Sequence, residues 1–187
     1  MTTNKKITIG IIIVVVLVIL YVLSSYNSLV GMKESATAEW QQVETQYQRR
    51  LDLIPNLVSS VQGAMKQEQA IFTALADARA QYSGAQTQSD KAVAAGQVES
   101  ALGRLIAVVE NYPTLKSSDA VQGLMTQLEG TENRVSVERQ RYNDDVQAYE
   151  VAIKRFPGSI IASTFGFTDL QYFKADTGAS VAPQVKF

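Results

Sequence analysis

Neither cysteine nor histidine occurs among the 187 residues. Without cysteine the chain cannot form a disulfide, a thiolate nucleophile or a cysteine-bound iron–sulfur cluster. Without histidine it also lacks the Ser-His-Asp and Cys-His catalytic arrangements, the usual zinc sites and the Glu-x-x-His ligands of di-iron bundles. Most familiar catalytic designs are therefore excluded, and we expect a protein that is not an enzyme and holds no cofactor or metal.

An excess of positive charge is missing as well. The 17 basic residues are scattered and are balanced by 18 acidic ones, for a net charge of −1. Proteins that bind nucleic acid usually carry a basic patch, so we expect no nucleic-acid partner. Apolar residues make up 46% of the chain, which is enough to fill the core of one folded domain.

The longest apolar run extends from Ile7 to Leu23 and contains no charged residue. As a helix it rises about 25 Å, close to the minimum span of a bilayer's hydrocarbon core, and residues up to Tyr26 would complete the crossing. The alternative is a cleaved signal peptide, whose apolar region is normally shorter, about 7 to 15 residues. We predict an N-terminal flank at residues 1–6 and a single transmembrane anchor at residues 7–26.

Charges on either side of this segment predict its orientation. Lys5 and Lys6 precede it, whereas the fifteen residues after it contain only Lys33. Because positive charge is retained in the cytoplasm, this asymmetry favours a cytoplasmic N-terminus. The rest of the chain would then lie outside the cytoplasm.

A long helical pattern follows the anchor. From Ala36 to Ala78, apolar residues recur at alternating steps of four and three, and only Arg50 and Glu68 interrupt them. Such a seam is typical of a helix that packs lengthwise on other helices. Pro55 lies inside the seam and either bends this helix or begins a separate one.

Two further helices are predicted from capping signals and apolar stripes. Ser89 is a good N-cap for a helix from Asp90 to about Tyr112, which Pro113 ends. The apolar stripe of this helix consists of Val98, Leu102, Leu105 and Val109. Residues 117–119 offer the next N-cap, for a third helix that extends to about Phe156.

The chain then changes character. Pro157 and Gly158 stop the third helix, and residues 160–165 form a short fourth element. Strand-like alternation is absent from the sequence. We therefore predict an all-α protein, in which one transmembrane helix is followed by an elongated bundle of three long antiparallel helices and a short C-terminal fourth helix, over residues 27–175. Residues 176–187 are predicted to form a flexible tail.

Four charged residues occupy seam positions where apolar residues are expected. They are Arg50 and Glu68 in the first long helix, and Glu132 and Arg139 in the third. Long charged side chains often cover apolar surface while their charge stays in water. Alternatively, Glu132 and Arg139, about 10 Å apart along their helix, pair with opposite charges on a neighbouring helix or subunit and fix the register. A catalytic carboxylate is not favoured, because no second carboxylate, metal ligand or nucleophile can be placed beside it.

Glycines recur with heptad spacing in two helices, as the pairs Gly96 with Gly103 and Gly123 with Gly130. Each pair lies more than 90° from the apolar stripe of its own helix, so the core does not explain it. Each interior glycine costs about 0.5–1 kcal/mol relative to alanine. Either these are tolerated surface glycines, or they mark close helix contacts between subunits of a homo-oligomer.

The C-terminal apolar segment, residues 156–173, carries large apolar side chains on short and irregular chain. These are Phe156, Ile160, Ile161, Phe165, Phe167, Tyr172 and Phe173. Since seven exposed side chains of this kind would form a sticky patch, we expect the segment to fold back onto the bundle. A partner's groove or a neighbouring subunit is the alternative.

Several segments together resemble the LemA family of bacterial membrane proteins. The matching segments are YNSLV at 26–30, RRLDLIPNLV at 49–58, ENYPTLKSS at 110–118, EGTENRVSVERQRYND at 129–144, FPGSIIASTFGF at 156–167 and YF at 172–173. The resemblance implies an N-terminal membrane helix before an elongated helical bundle, with no established enzymatic activity or cofactor. Members are loosely associated with envelope maintenance and with genes for membrane proteases, and a relative takes part in magnetosome membrane organelles.

We therefore expect a bacterial inner-membrane scaffold that contacts the lipid bilayer, spans it once and self-associates as a homo-oligomer. The second hypothesis is an adaptor or regulator of a membrane protease, of another envelope protein or of an envelope-stress system. A hydrolase would have to work with carboxylates, tyrosine or lysine alone. A transporter is disfavoured, because one span without intramembrane charge makes no pathway unless many copies assemble.

Overall fold

The structure is a computed structural model that describes residues 3–173. Its helices are α1 (Thr3–Val61), α2 (Gln69–Gly84), α3 (Gln88–Val109), α4 (Pro113–Lys116), α5 (Asp119–Lys154) and α6 (Gly158–Phe165). The described part of the chain contains no strand, so the all-helical prediction is confirmed for it. The elongated, antiparallel arrangement of the helices stays a prediction. The predicted tail, residues 176–187, lies outside the described residues.

α1 continues without interruption from the apolar run into the seam. Pro55 lies inside it, and the helix extends six residues further, to Val61. Proline removes one backbone hydrogen bond, but Leu51, Ile54 and Leu57 around it are all buried. Burial of this apolar face stabilises the helix more than the missing bond weakens it. Pro55 therefore does not split the first long helix.

The break that does occur lies at residues 62–68, between α1 and α2. The seam's register changes there, since Met65 and Phe72 are buried whereas the predicted positions Ala64 and Ile71 are exposed and half-buried. The prediction of one continuous seam up to Ala78 was therefore wrong between Val61 and Ile71, whereas its last two positions, Leu75 and Ala78, are buried. An irregular connection between two helices need not preserve the phase of a heptad pattern.

α3 begins earlier and ends earlier than predicted. Thr87 is its N-cap rather than Ser89, because the Thr87 hydroxyl accepts a hydrogen bond from the Asp90 backbone N–H at 3.1 Å. The helix ends at Val109, before Pro113, which instead occupies the first turn of α4. The predicted apolar stripe is buried, namely Val98, Leu102, Leu105 and Val109.

α5 ends at Lys154, so Phe156 is not the last position of its seam as predicted. The Phe156 side chain is 76% exposed. The residue before a proline is disfavoured in helical conformation, and Pro157 therefore ends the helix early. α6 starts at Gly158 with Pro157 at the N-cap, two residues before the predicted start of the short fourth element.

The chain divides into two compact units. The first unit contains residues 3–41 and 140–172, and the second contains residues 42–139 with Phe173. In the first unit, Leu29, Tyr149, Ile153, Ile161 and Ala162 form an apolar core. In the second unit, α2 packs on α3, and its largest fully buried apolar side chains include Tyr47, Leu57, Met65, Leu75, Leu102, Leu105 and Leu128.

Two of the described helices, α1 and α3, are long and apolar enough to cross a membrane. They differ in burial. The apolar window of α3 is partly buried in the second unit, as expected of a core helix, whereas that of α1 is not buried at all. Among residues 3–173, the apolar run of α1 therefore has no protein core to pack against.

Candidate functional site

Charged side chains from three helices meet inside the second unit. Glu99 of α3 and Arg139 of α5 meet at the hydroxyl of Tyr47 on α1. Arg50 of α1 joins them through Glu99 and also pairs with Glu132 of α5. These five residues are called the charge cluster below. Tyr47 and Arg50 lie one turn apart on α1, and Glu132 and Arg139 lie two turns apart on α5, so each helix presents its pair on one face.

Glu99 is the centre of the charge cluster. Its Oε1 atom accepts a hydrogen bond from the Tyr47 hydroxyl at 2.7 Å and another from Nη2 of Arg139 at 2.8 Å. Nη1 of Arg50 lies 3.6 Å from the same oxygen. One carboxylate therefore links all three helices.

Arg50 is the most buried charged residue of the charge cluster, with 6% of its surface exposed. Its guanidinium forms an ion pair with the carboxylate of Glu132, which is half exposed. Within residues 3–173, its Nε and Nη1 atoms have no hydrogen-bond partner. Arg50 therefore depends on the two carboxylates for compensation of its buried charge.

The charge cluster is neutral, because two arginines face two glutamates. Arg139 also donates a hydrogen bond to the Tyr47 hydroxyl, and its guanidinium lies over the Tyr47 ring at 5.4 Å and the Phe173 ring at 5.2 Å. Burial, followed by the negative charge of Glu99, raises the pKa of Tyr47 far above its ordinary value. The phenol therefore stays protonated and acts as a hydrogen-bond donor.

A second pairing of α1 with α3 lies in the same unit. Lys91 forms an ion pair with Glu44, and the rings of Tyr47 and Tyr82 lie 5.6 Å apart. Burial, followed by the charge of Glu44, raises the pKa of Tyr82. Polar side chains thus connect α1 with α3 at two places, at Glu44 with Lys91 and in the charge cluster, while Tyr82 connects α1 with α2.

The four charged seam residues have different environments in the structure. Arg50, Glu132 and Arg139 belong to the charge cluster, where each pairs with an opposite charge on another helix. Glu68 does not belong to it. It lies at the N-cap of α2, is half-buried and makes no side-chain capping hydrogen bond.

Sequence reasoning did not single out Glu99 or Tyr47. Tyr47 was assigned to the seam only as an apolar residue. Glu99 lies beside the apolar stripe of α3 and is the only acidic residue in that helix beyond its first turn. Two arginines in helical seams require negative partners, and an isolated glutamate beside a stripe is the signal that could have identified one.

The four helical glycines remain open to their surroundings in the single chain. Within residues 3–173, a Cβ atom at Gly96, Gly103, Gly123 or Gly130 would meet no atom within 4 Å apart from its chain neighbours and the adjacent backbone of its own helix. Gly96 lines a shallow groove with small residues such as Ala74 and Ser100. Packing among the described residues therefore does not require glycine at these positions.

The C-terminal apolar segment divides its side chains between core and surface. Ile161 belongs to the core of the first unit, Phe167 packs against it, and Phe173 contacts Arg139 in the second unit. Four other side chains are exposed, namely Phe156, Ile160, Phe165 and Tyr172. The expectation that the whole segment packs onto the bundle was therefore wrong for these four.

Backbone atoms of this segment are held by side chains of α5. The hydroxyl of Tyr142 donates to the carbonyl of Gln171 at 2.8 Å, and that of Tyr149 donates to the carbonyl of Thr168 at 3.0 Å. Burial raises the pKa of both phenols. The Leu170 N–H donates to the buried carboxylate of Glu150 at 2.8 Å, so irregular chain is fixed without secondary structure of its own.

The charge cluster is suited to fixing helix register rather than to chemistry on a bound molecule. Its central atoms are occupied by one another, and Tyr47 is 2% exposed. Within residues 3–173, no group of three or more acidic side chains is arranged to hold a metal ion. The open surfaces, at the helical glycines and at the C-terminal apolar segment, are therefore the better candidates for contact with other molecules.

Comparison with known proteins gives a consistent set of relatives. The LemA family matches residues 39–187. Magnetosome protein MamQ of Magnetospirillum gryphiswaldense is 32% identical over 177 residues, with 81% of this chain and 65% of the relative covered. Magnetosome protein MamQ 2 of Paramagnetospirillum magneticum is 31% identical over 186 residues, with 86% of this chain and 68% of the relative covered.

The chain thus spans slightly less than two thirds of the Magnetospirillum relative. The family match covers most of the chain, from the middle of α1 onward, and includes every residue of the charge cluster. It confirms the resemblance seen in the sequence, and the chain therefore belongs to the LemA family.

Proposed function

We propose that this chain is a membrane-anchored, non-enzymatic helical scaffold that self-associates at the bacterial envelope. The observation that carries the proposal is the outward placement of four helical glycines whose Cβ positions are open. A scaffold needs a membrane attachment, a rigid body and a surface for other copies. The apolar run of α1 corresponds to the membrane attachment and the charge cluster to the rigid body. The helix faces that carry Gly96 with Gly103 and Gly123 with Gly130, called the glycine faces, correspond to the surface for other copies.

The apolar run of α1 supports the membrane attachment, since its side chains are exposed in the single chain. The relatives named magnetosome proteins agree with a membrane-associated role. The proposal places the chain in the inner membrane, with Lys5 and Lys6 in the cytoplasm according to the positive-inside rule. The helical body then lies in the periplasm or outside the cell.

The glycine faces support self-association on energetic grounds. Four interior glycines cost about 0.5–1 kcal/mol each relative to alanine, and no contact made by the described residues, 3–173, requires them. In each pair the glycines lie about 10 Å apart, or two helical turns. A neighbouring helix can approach closely at such positions because no side chain separates the backbones.

The alternative is an adaptor or regulator of a membrane protease or another envelope protein. It uses the same open surfaces but places a different protein on them. The two proposals differ in which molecule lies within a few ångströms of the glycines. That difference can be measured in the membrane.

Single-cysteine cross-linking tests the proposal cleanly, since the chain has no cysteine of its own. Gly103→Cys and Gly130→Cys place one thiol on each glycine face. Ser136→Cys is the control, because Ser136 is also exposed on α5 but lies about 120° around the helix from Gly130. Membranes that contain each full-length variant are treated with a mild oxidant and analysed on a non-reducing gel.

Self-association predicts disulfide-linked dimers for the glycine variants and few for Ser136→Cys. Equal dimer yields at all three positions would indicate random collision and contradict a specific glycine contact. Cross-linking with a bifunctional thiol reagent into bands that contain a second protein, without homodimers, would favour the adaptor.

A further inference from the structure

We propose that the exposed apolar side chains of Phe156, Ile160 and Phe165 lie in the lipid interface of the bilayer, so that α6 and the turn before it form a second membrane contact beside the α1 anchor. The inference rests on the anchoring role proposed for α1. It goes beyond that role because it assigns a lipid-facing surface to a segment far away in sequence. All the residues involved belong to the first unit.

The depth of Phe165 follows from its contact with α1. The Phe165 ring packs edge-on against the ring of Tyr26, with 5.0 Å between their centroids. Tyr26 lies three residues after Leu23, the end of the apolar run, which is about 4.5 Å along a helix. The polar interfacial layer on each side of the hydrocarbon core is about 5–8 Å thick. A perpendicular anchor would thus place Tyr26 and Phe165 inside this layer.

A surface groove places Phe156 at the same depth along α1 as Phe165. Arg155 and Phe156 line a surface groove together with Tyr21 and Ser24 of α1. These two α1 residues flank the end of the apolar run. Phe156 is 76% exposed, the highest value among the large apolar side chains of residues 3–173. The ring contact of Phe165 at the end of α6 and the groove that Phe156 lines before its start therefore both point to the boundary of the bilayer.

The composition of α6 suits an environment of low polarity. Its sequence, GSIIASTF, contains no charged residue. The exposed hydroxyls of Ser163 and Thr164 both donate to the carbonyl of Ile160, at 3.0 and 2.7 Å. They therefore need no water as a hydrogen-bond acceptor, which lowers the cost of placing this surface among lipids.

The opposite face of α6 is fixed to the protein, so the exposed face has a defined direction. Ile161 and Ala162 are buried in the core of the first unit. At the start of the helix, a Cβ on Gly158 would lie 2.3 Å from the carbonyl oxygen of Ala152, so only glycine permits this approach. At its end, Gly166 adopts φ +75°, a conformation that favours glycine.

The basic residues next to α6 are compatible with a position at the lipid surface. Lys154 is held by Glu150 and Asp169, with its Nζ atom 3.1 Å from Asp169. Arg155 is exposed beside Phe156, where its guanidinium could reach a lipid phosphate. An apolar tip with a basic residue beside it is typical of segments that lie in the membrane interface.

Site-directed spin labelling of the full-length protein in phosphatidylcholine–phosphatidylglycerol vesicles tests the inference. Single-cysteine variants Phe156→Cys, Ile160→Cys and Phe165→Cys carry the label at exposed positions. Leu20→Cys reports on the anchor, and Ala38→Cys is the aqueous control, since it is exposed on α1 about 27 Å beyond Leu20. Collision of each label with oxygen and with a water-soluble nickel chelate gives its depth.

The inference predicts that all three labels collide more with oxygen than with the nickel chelate, at a depth within about 10 Å of the phosphates. The Leu20 label should lie deeper, and the Ala38 label should behave as in water. If Leu20 is in lipid while the three labels are in water, the inference is wrong and the anchor stands. If Leu20 itself is in water, the proposed anchoring fails.

A third pattern would also overturn the inference. Labels at residues 156, 160 and 165 that are immobilised and shielded from both collision partners would indicate a protein surface, whether a second copy or a partner. Dilution of the protein to one copy per vesicle separates these two cases. A lipid contact is unaffected by dilution.

Discussion

The two units of this chain differ in the polar groups that they bury and in the surfaces that they expose. The first unit buries neutral phenols that bond backbone carbonyls, and it exposes Phe156, Ile160 and Phe165. The second unit buries the charge cluster and exposes glycines. Both have apolar cores, so the difference lies in what each adds to its core.

The difference suggests a division of tasks. Apolar surface that is left exposed next to a membrane-spanning segment can contact lipid, whereas in water it would be a liability. Buried ion pairs contribute little net stability, but a mispaired arrangement is costly, and so they select one helix register. The first unit is thus suited to contact with lipid, and the second is suited to holding its helices in one fixed register.

The largest expected effect comes from Arg50, the most buried charge of the second unit. Arg50→Met leaves the charge cluster with two carboxylates and one arginine, and we expect the free energy of unfolding to fall by about 3 kcal/mol. Urea unfolding of the full-length protein in mild detergent, followed by far-ultraviolet circular dichroism, measures this. Arg49→Met is the control, because Arg49 is the exposed neighbour of Arg50 and its loss should change the free energy of unfolding by less than about 0.5 kcal/mol. Equal losses in the two variants would contradict the assigned role of Arg50.

In the first unit the largest effect should come from Gly158. A methyl group there collides with the carbonyl oxygen of Ala152, so we expect Gly158→Ala to cost about 2 kcal/mol through displacement of α6. Gly63→Ala is the matched control, because its Cβ would meet nothing within 4 Å. The same unfolding measurement applies. An unchanged stability in Gly158→Ala would mean that α6 does not approach α5 this closely.

Tyr47 makes the stability of the second unit depend on pH. Its pKa is raised in the folded protein, chiefly by burial, so the folded state binds the phenol proton more tightly than the unfolded state does. This contribution to stability is complete below about pH 10 and is lost as the pH rises further. Tyr47→Phe should cost about 1.5 kcal/mol at neutral pH through its hydrogen bonds to charged groups. Its stability should then fall less steeply above pH 10 than that of the parent, and an identical slope would contradict the account.

The smallest effect is expected from an exposed polar contact of the first unit. The Ser35 hydroxyl donates to Asp145 at 2.6 Å at the surface of that unit. Ser35→Ala loses this bond but gains helix propensity, and the two changes nearly cancel. We expect a stability within about 0.5 kcal/mol of the parent in the same titration. A larger loss would show that the first unit also depends on polar contacts between helices.

The periodic parts of the fold could be predicted from the sequence, because a heptad pattern reports burial directly. The stripe of α3 and the seam of α1 up to Val61 agree with the structure. The position of the break could not be predicted, since Pro55 was the obvious candidate and packing overrides it. Gly63, a weaker signal, lies in the segment where the helix ends.

The site was predictable only in part. Arg50, Glu132 and Arg139 stand out because they violate an apolar seam, whereas Tyr47 fits the seam and gives no signal of its own. Glu99 would have required knowledge of which helix faces which. In the C-terminal apolar segment, the sequence gives the large side chains but not their direction, which depends on the contacts of Gly158 and Tyr26.

The central claim, that the chain is a self-associating membrane scaffold, is tested most directly by the mass of the full-length protein in mild detergent. Light scattering coupled to size exclusion gives that mass after correction for bound detergent, against 20.4 kDa for one chain. We predict a defined assembly of several chains, reduced to single chains by the double variant Gly103→Leu with Gly130→Leu. A parent protein that elutes as one chain at all concentrations would contradict the claim.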